Sequence, residues 1–168
     1  YKRQAPPSYG LGAVFIDIDR DRDLDLYVGN DSQPSFLFVN DGEGRFEERG
    51  AKLGIATNAD GSPQATMGIS FGDVNGDGWP DLFTTNFSDD TNTLHVNFEG
   101  RFFDDETQRR GLASVSRPFL GWSSAFADLD HDGDEDLLVV NGHVYPHATR
   151  ETMNSTYRQP PLLFARGD

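Results

Sequence analysis

Three stretches of this chain repeat one spacing of acids: DIDRDRDLDL from Asp17, DVNGDGWPDL from Asp73 and DLDHDGDEDL from Asp128. Each reads D-x-[DN]-x-D-x-x-x-D and runs straight into an apolar segment. Carboxylates pressed into nine residues repel one another, so such a loop either surrounds a cation or turns its oxygens onto backbone amides. The three starting aspartates stand 56 and 55 residues apart. A unit of near-constant size therefore recurs, and periodicity on this scale signals an array of repeats.

The flanks repeat with the loops. GAVFID, GISFGD and GWSSAFAD precede them, and DLYVGN, DLFTTN and DLLVVN follow, so each loop joins two short strands. A third apolar stretch, a turn and a last strand complete the unit: FLFVN, DGEG and RFEE in the first, TLHVN, FEG and RFFDD in the second. Asn and Gly between strand-like runs are hairpin chemistry. The third unit has LLFA from Leu162 and stops at Asp168, ahead of a fourth strand. The expected repeats lie at approximately 12–67, 68–120 and 121–168, the last one cut short.

Composition fits an all-β chain, with 13 Phe, 18 Gly and apolar runs of only four or five residues. No segment has the length of a membrane-spanning helix, and membrane insertion is not expected. The absence of cysteine excludes disulfides, zinc-thiolate sites and a cysteine nucleophile. A formal net charge of -14 makes nucleic acids and anionic lipid surfaces poor partners. Three bound dications would bring that charge to about -8. The chain opens on Tyr1 without an apolar leader, which is expected of a mature product, a recombinant segment or a fragment.

The cation that suits these loops is calcium. It takes six to eight oxygen ligands at ~2.3–2.6 Å, whereas magnesium demands a rigid octahedron and keeps several waters. In the first loop the expected side-chain ligands are Asp17, Asp19, Asp21 and Asp25, with the backbone carbonyl of Asp23 in seventh place. The second offers Asp73, Asn75, Asp77 and Asp81 with the carbonyl of Trp79. The third offers Asp128, Asp130, Asp132 and Asp136 with the carbonyl of Asp134. An EF-hand starts alike but needs a bidentate Glu at position twelve and flanking helices. Position twelve here is Val28, Thr84 and Val139, and strands flank the loops.

These motifs resemble the FG-GAP or VCBS repeat of integrin-α-like β-propellers, from about Gly12 onward. YGLG, GNDSQPSFLFVN, TNFSDDTNTL, FLGW and NGHVYP resemble more narrowly the ASPIC/UnbV group of cartilage acidic protein-like chains. The resemblance implies β-propeller blades, each a four-stranded antiparallel sheet with its calcium loop between the first two strands. Closed propellers take four to eight blades. Three repeats then imply part of a larger, seven-bladed ring, or a piece that closes by self-association of its exposed edges. One departure is Arg22, in the sixth loop position where the family has Gly, as at Gly78 and Gly133. A left-handed backbone there costs a non-Gly residue roughly 1–2 kcal/mol. The third loop, with four carboxylates and its Gly, is expected to bind best.

Other features carry less. Arg166, Gly167 and Asp168 form an adhesion tripeptide but fall at a hairpin turn of the repeat. Asn30, Asn86 and Asn154 begin N-x-[ST] sequons. His143, Tyr145 and His147 form a polar loop without a third metal ligand. Trp79 and Trp122 suit either packing between sheets or stacking on a sugar. Ser123 and Ser124 lack a nucleophile elbow, and no enzyme is expected. The expected function is a calcium-binding module, with about three ions, that serves as a binding or adhesion scaffold for a protein or glycan ligand. A glycan-binding module using SDDTNT and NGHVYPH, or a non-catalytic domain of a larger secreted enzyme, are the alternatives. Calcium sites of extracellular affinity fill only at millimolar calcium, which implies an extracellular, cell-surface or periplasmic location.

Overall fold

The computed structural model of the chain describes residues 6–166. Among the described residues eleven strands form three antiparallel sheets. The first is β1 (Gly10–Ile16), β2 (Asp25–Asn30), β3 (Phe36–Asn40) and β4 (Phe46–Glu48), paired in that order. The second is β5 (Ile69–Gly72), β6 (Asp81–Thr84), β7 (Thr93–Phe98) and β8 (Phe102–Asp105), again in sequence order. The third has β9 (Gly121–Ala127), β10 (Asp136–Asn141) and β11 (Leu162–Phe164). Each sheet is an antiparallel meander in which every strand pairs with the one before it, so the pairings are local. The fold is all-β, built of antiparallel meander blades, as the repeated pattern predicts. Gly167 and Asp168 of the adhesion tripeptide lie outside the described residues.

Three short helices, α1 (Gly50–Leu53), α2 (Leu112–Ser116) and α3 (Arg150–Met153), sit in the connections. Four or five residues show no helical periodicity in sequence, so none of them was legible there. After the fourth strand α1 and the turn at 107–110, just ahead of α2, occupy the same place. Ile55 donates its N–H to the Gly50 carbonyl at 3.0 Å, and Leu112 does the same to Thr107 at 3.0 Å.

The sheets stack face to face, and their side chains meet in two equivalent layers. Ile18, Tyr27, Leu37, Val39 and Ile55 of the first repeat pack on Leu82 and Phe103 of the second. One repeat later Val74, Phe83, Leu94, Val96 and Leu112 meet Leu137 and Val139 of the third. Even the ring geometry recurs: Tyr27 meets Phe71 edge-on with centroids 6.4 Å apart, and Phe83 meets Phe126 edge-on at 6.4 Å. Burying each such large side chain stabilises by roughly 1.5–3 kcal/mol. No blade has a core of its own, so the stacking is what makes the array stable.

The first strands of adjacent blades run close together. Ser70 and Ser124 share a hydroxyl hydrogen bond of 2.7 Å. Thr85 Oγ1 accepts the Gly68 N–H at 2.8 Å and donates to the Gly121 carbonyl at 2.9 Å, tying the second blade to the start of the third. A Cβ on Gly68 would lie 2.8 Å from Ser123 Cα and 2.9 Å from the Trp122 carbonyl. Those obstacles are backbone, so relief requires the blades to separate. We expect Gly68→Ala to destabilise by roughly 1–3 kcal/mol, visible as a lower thermal midpoint. Gly142→Ala, whose Cβ would meet no atom within 4 Å, should leave that midpoint nearly unchanged.

Candidate metal centres

Each aspartate loop is a hairpin closed by its own strands. Ile16 pairs with Asp25, Gly72 with Asp81 and Ala127 with Asp136. Pairing thus stops one residue before the first acid and resumes at the ninth position, leaving the intervening residues free to curl.

The curl is held by the acids themselves. The first aspartate takes the same two N–H groups from across each loop: Asp17 from Asp21 and Arg22 at 3.2 and 3.0 Å, Asp73 from Asp77 and Gly78 at 3.0 and 2.7 Å (and a third from Gly76 at 2.8 Å), Asp128 from Asp132 and Gly133 at 3.2 and 3.2 Å. The fifth takes one from the seventh: Asp21 from Asp23 at 2.8 Å, Asp77 from Trp79 at 2.8 Å and Asp132 from Asp134 at 2.9 Å. The ninth bonds both the second loop residue and the strand that follows. Asp25 accepts from Ile18 at 3.0 Å and Asn40 at 2.8 Å, Asp81 from Val74 at 2.9 Å and Asn97 at 2.8 Å, Asp136 from Leu129 and Arg166 at 3.1 Å each.

These bonds gather oxygens on the inside of the loop. One carboxylate oxygen from each of Asp17, Asp19 and Asp21 lies within 4.8 Å of the others, and so do those of Asp128, Asp130 and Asp132. In the second loop Asn75 replaces an acid, and its Nδ2 donates to Asp77 Oδ2 at 2.9 Å. Asp25 and Asp81 are fully buried and Asp136 nearly so. Each of their oxygens accepts one N–H and keeps lone pairs to spare. The seventh side chains turn elsewhere: Asp134 pairs with Arg166 at 3.3 Å, and the Trp79 ring lies under the Arg20 guanidinium at 5.2 Å. That leaves their main chain as the group available to the loop.

The donor set fits a hard dication. It consists of oxygens alone, and Asp19 Oδ1 is buried without a hydrogen-bond partner. Burial, then the charge of Asp21 and Asp17, raises the Asp19 carboxyl above its ordinary value. Burial likewise raises Asp25 and pushes Asp81 up to about 6. Asp130 is raised by desolvation and by Asp132, Asp136 and Asp128 around it. A cation among the acids relieves the repulsion that otherwise favours their protons.

Two determinants were hidden in the sequence. The sixth position is left-handed in all three loops, Arg22 at φ 80°, Gly78 at 84° and Gly133 at 97°, as the Arg22 departure anticipated. The fourth position is left-handed too, at Arg20 (φ 61°), Gly76 (75°) and His131 (65°). The third loop therefore carries one strained non-Gly residue, the first two and the second none. The neighbouring blade also helps to build the loops. Asn97 Nδ2 donates to the Ile18 carbonyl of the first loop at 2.9 Å and to the Pro80 carbonyl of its own at 3.1 Å. Glu135 accepts the Asp73 N–H at 2.8 Å. The Asn that ends FLFVN and TLHVN was the visible signal, but it reads equally well as a turn residue.

The lesser motifs also find their places. Asn30 and Asn86 are buried and donate to the Pro34 and Thr91 carbonyls at 2.7 and 2.8 Å, whereas Asn154 is exposed. His143 is buried between Phe87 and Tyr145, with its Nε2 3.2 Å from Ser88 Oγ and its Nδ1 accepting the Tyr145 N–H. His147 is exposed. Trp122 is half-exposed, its indole N–H on the Gly142 carbonyl at 2.7 Å.

A fold of stacked antiparallel sheets, each with an acidic hairpin between its first two strands, defines a class. The FG-GAP-like repeat profile matches residues 17–84 and again 73–139, and the chain belongs to that family. It is also similar to cartilage acidic protein 1 of Xenopus tropicalis, 29% identical over 135 residues. The alignment covers 79% of this chain and 20% of that protein, so the chain spans about a fifth of its relative's length.

Two measurements test the loop analysis. Arg22→Gly should stabilise the chain by about 0.5–1 kcal/mol in chelator, the left-handed penalty less the extra unfolded-state entropy of Gly, read from urea unfolding. The second concerns Asp81, whose folded value of about 6 exceeds the ordinary 3.8. Between those values the folded chain holds a proton that the unfolded chain releases, so stability without metal should fall as pH rises through that window. Asp81→Asn should flatten this limb of the pH profile.

Proposed function

We propose that this chain is a calcium-binding β-propeller repeat module that acts as an extracellular scaffold for binding or adhesion. The three loops would hold the ions through Asp17, Asp19, Asp21 and Asp25; Asp73, Asn75, Asp77 and Asp81; and Asp128, Asp130, Asp132 and Asp136, with the carbonyls of Asp23, Trp79 and Asp134. The observation that carries this reading is the threefold recurrence of one hydrogen-bond pattern, with three carboxylate oxygens gathered inside the first and third loops. A solvated acidic turn has no need of the same carboxylate geometry three times over.

Calcium supplies charge neutralisation and rigidity here, and we assign the chain no catalytic role. Its acids are committed to the loop frame, and membership of the repeat family supports a binding module. At ten times the dissociation constant each ion would contribute ~1.4 kcal/mol by mass action. Three such sites amount to a large share of the stability margin of a small domain. Sites of that strength fill at millimolar calcium, which fits an extracellular, cell-surface or periplasmic setting. Among the described residues no helix is long and apolar enough to cross a membrane.

A second reading has its own support. The two segments suited to glycan binding meet in space, through Ser88 Oγ and His143 Nε2 at 3.2 Å. Tyr145 lies in the second segment and Trp122 donates its indole N–H to Gly142 there at 2.7 Å; both are half-exposed, and such rings stack on sugars. Glycan-array binding lost in Trp122→Ala and Tyr145→Ala, with calcium binding intact, is the outcome expected if a glycan is the ligand.

Calorimetric titration with calcium, paired with thermal unfolding in calcium and in chelator, tests the main reading. We expect close to three ions bound, a midpoint that drops on chelation, and one ion fewer for the double variant Asp128→Ala, Asp130→Ala. No binding heat and an unchanged midpoint would remove it.

A further inference from the structure

We propose that Asn75 is a site of spontaneous covalent modification, at which the side-chain amide closes onto the main-chain nitrogen of Gly76 and water then leaves aspartate or isoaspartate in its place.

Two Asn-Gly pairs occur in the chain, Asn75-Gly76 and Asn141-Gly142. Gly has no Cβ, so the nitrogen of such a pair is open to approach by the preceding side chain. The first and third loops have Asp19 and Asp130 where the second has Asn75, and Arg20 and His131 follow them. The second loop alone joins an amide at this position to a following Gly.

The fold of the loop sets the two reacting groups against each other. Asn75 Oδ1 accepts the Asp77 N–H at 3.1 Å, a bond that folds the side chain back over the peptide it shares with Gly76. The same N–H polarises the amide carbonyl and makes Cγ more electrophilic. Gly76 donates its own N–H to Asp73 Oδ1 at 2.8 Å, and a hydrogen bond to an ionised carboxylate enriches the nitrogen in electron density. Electrophile and nucleophile are thus polarised in the sense that ring closure needs. Both residues are exposed, so water reaches them.

Asn141-Gly142 is held in another way. Asn141 Nδ2 donates to the Pro160 carbonyl at 2.9 Å, and the Gly142 N–H donates to the Leu120 carbonyl at 3.0 Å. Asn141 also ends β10, opposite Gly121. Ring closure there requires a strand end to leave its neighbours, whereas at Asn75 only bonds within one exposed loop must shift.

In the reaction the Gly76 nitrogen bonds to Asn75 Cγ and the Cγ–Nδ2 bond breaks. Ammonia leaves with the proton that the Gly76 amide releases. The succinimide takes up a water molecule at either carbonyl. Opening at one gives aspartate, the acid that the other two loops have at this place. Opening at the other gives isoaspartate, which adds a methylene to the main chain and shifts Asp77 relative to Asp73. The second loop therefore gains a negative charge with age by either route.

The test ages the whole chain in mildly alkaline buffer with chelator, which keeps the loop free of cations, and follows both Asn-Gly peptides by mass spectrometry. We expect isoaspartate and aspartate together at position 75, the latter co-eluting with the same peptide from Asn75→Asp. Asn141 should convert roughly tenfold more slowly, since a strand end must open first, and the two rates should converge when the chain is unfolded in urea. Conversion at Asn75 no faster than at Asn141, or a folded chain that preserves Asn75 while the urea-unfolded chain loses it, would overturn the proposal. Aspartate formed without isoaspartate would overturn it as well, because a succinimide opens at both carbonyls.

Discussion

The two backbone hydrogen bonds accepted by the ninth aspartate of each loop are the interaction on which the rest of the fold depends. One oxygen of Asp25, Asp81 or Asp136 holds the second residue of its own loop, and the other holds the end of the third strand or the residue just beyond. A single carboxylate thus fixes the loop to the sheet and the sheet's second strand to its third. The second loop residue, Ile18 or Val74, is then held in the hydrophobic layer. Acid chemistry and apolar packing are joined in one side chain. The electrostatic cost of burying it appears as the upward push on Asp25 and Asp81, and a nearby cation offsets that cost.

Strain and charge are distributed unequally among three loops of otherwise one design. The first has four acids at its proposed ligand positions and two non-Gly residues in left-handed conformation, the second three acids and no such strain, and the third four acids and one such residue. Arg20 recovers part of its cost by lying over Trp79 of the next loop. The differences make the three loops graded rather than identical. An affinity order based on formal charge and the sixth position alone omits two of the three strained residues, Arg20 and His131.

What was legible in the sequence was whatever repeats within one unit. The spacing of Asp17, Asp19, Asp21 and Asp25 located a hairpin, and the apolar runs on either side of it located the strands, because period-two patterning and loop chemistry are local. What was not legible lies between units. Nothing in the neighbourhood of Asn97 announces that its amide will reach Ile18, and nothing near Glu135 announces Asp73, since those pairs are separated by 79 and 62 positions. The left-handed fourth position escaped notice because Arg20 and His131 disguise a requirement that Gly76 alone displays. The sequons at Asn30 and Asn86 show the opposite error of a short motif, in which surface chemistry is spelled by residues that the fold buries to close its second strands.

The contacts between units also have a direction. Asn97 of the second unit holds the first loop, Glu135 of the third holds the second, and the turn at Gly100 lies against Asp19. The first and second acidic loops are finished by residues of the next unit in the chain. During synthesis a newly emerged unit has its acids in place but not the wall that braces them, and it must wait for the next third strand or loop to leave the ribosome. The loops of this protein thus mature one unit behind the growing end, so the order of translation is written into the order in which they become rigid.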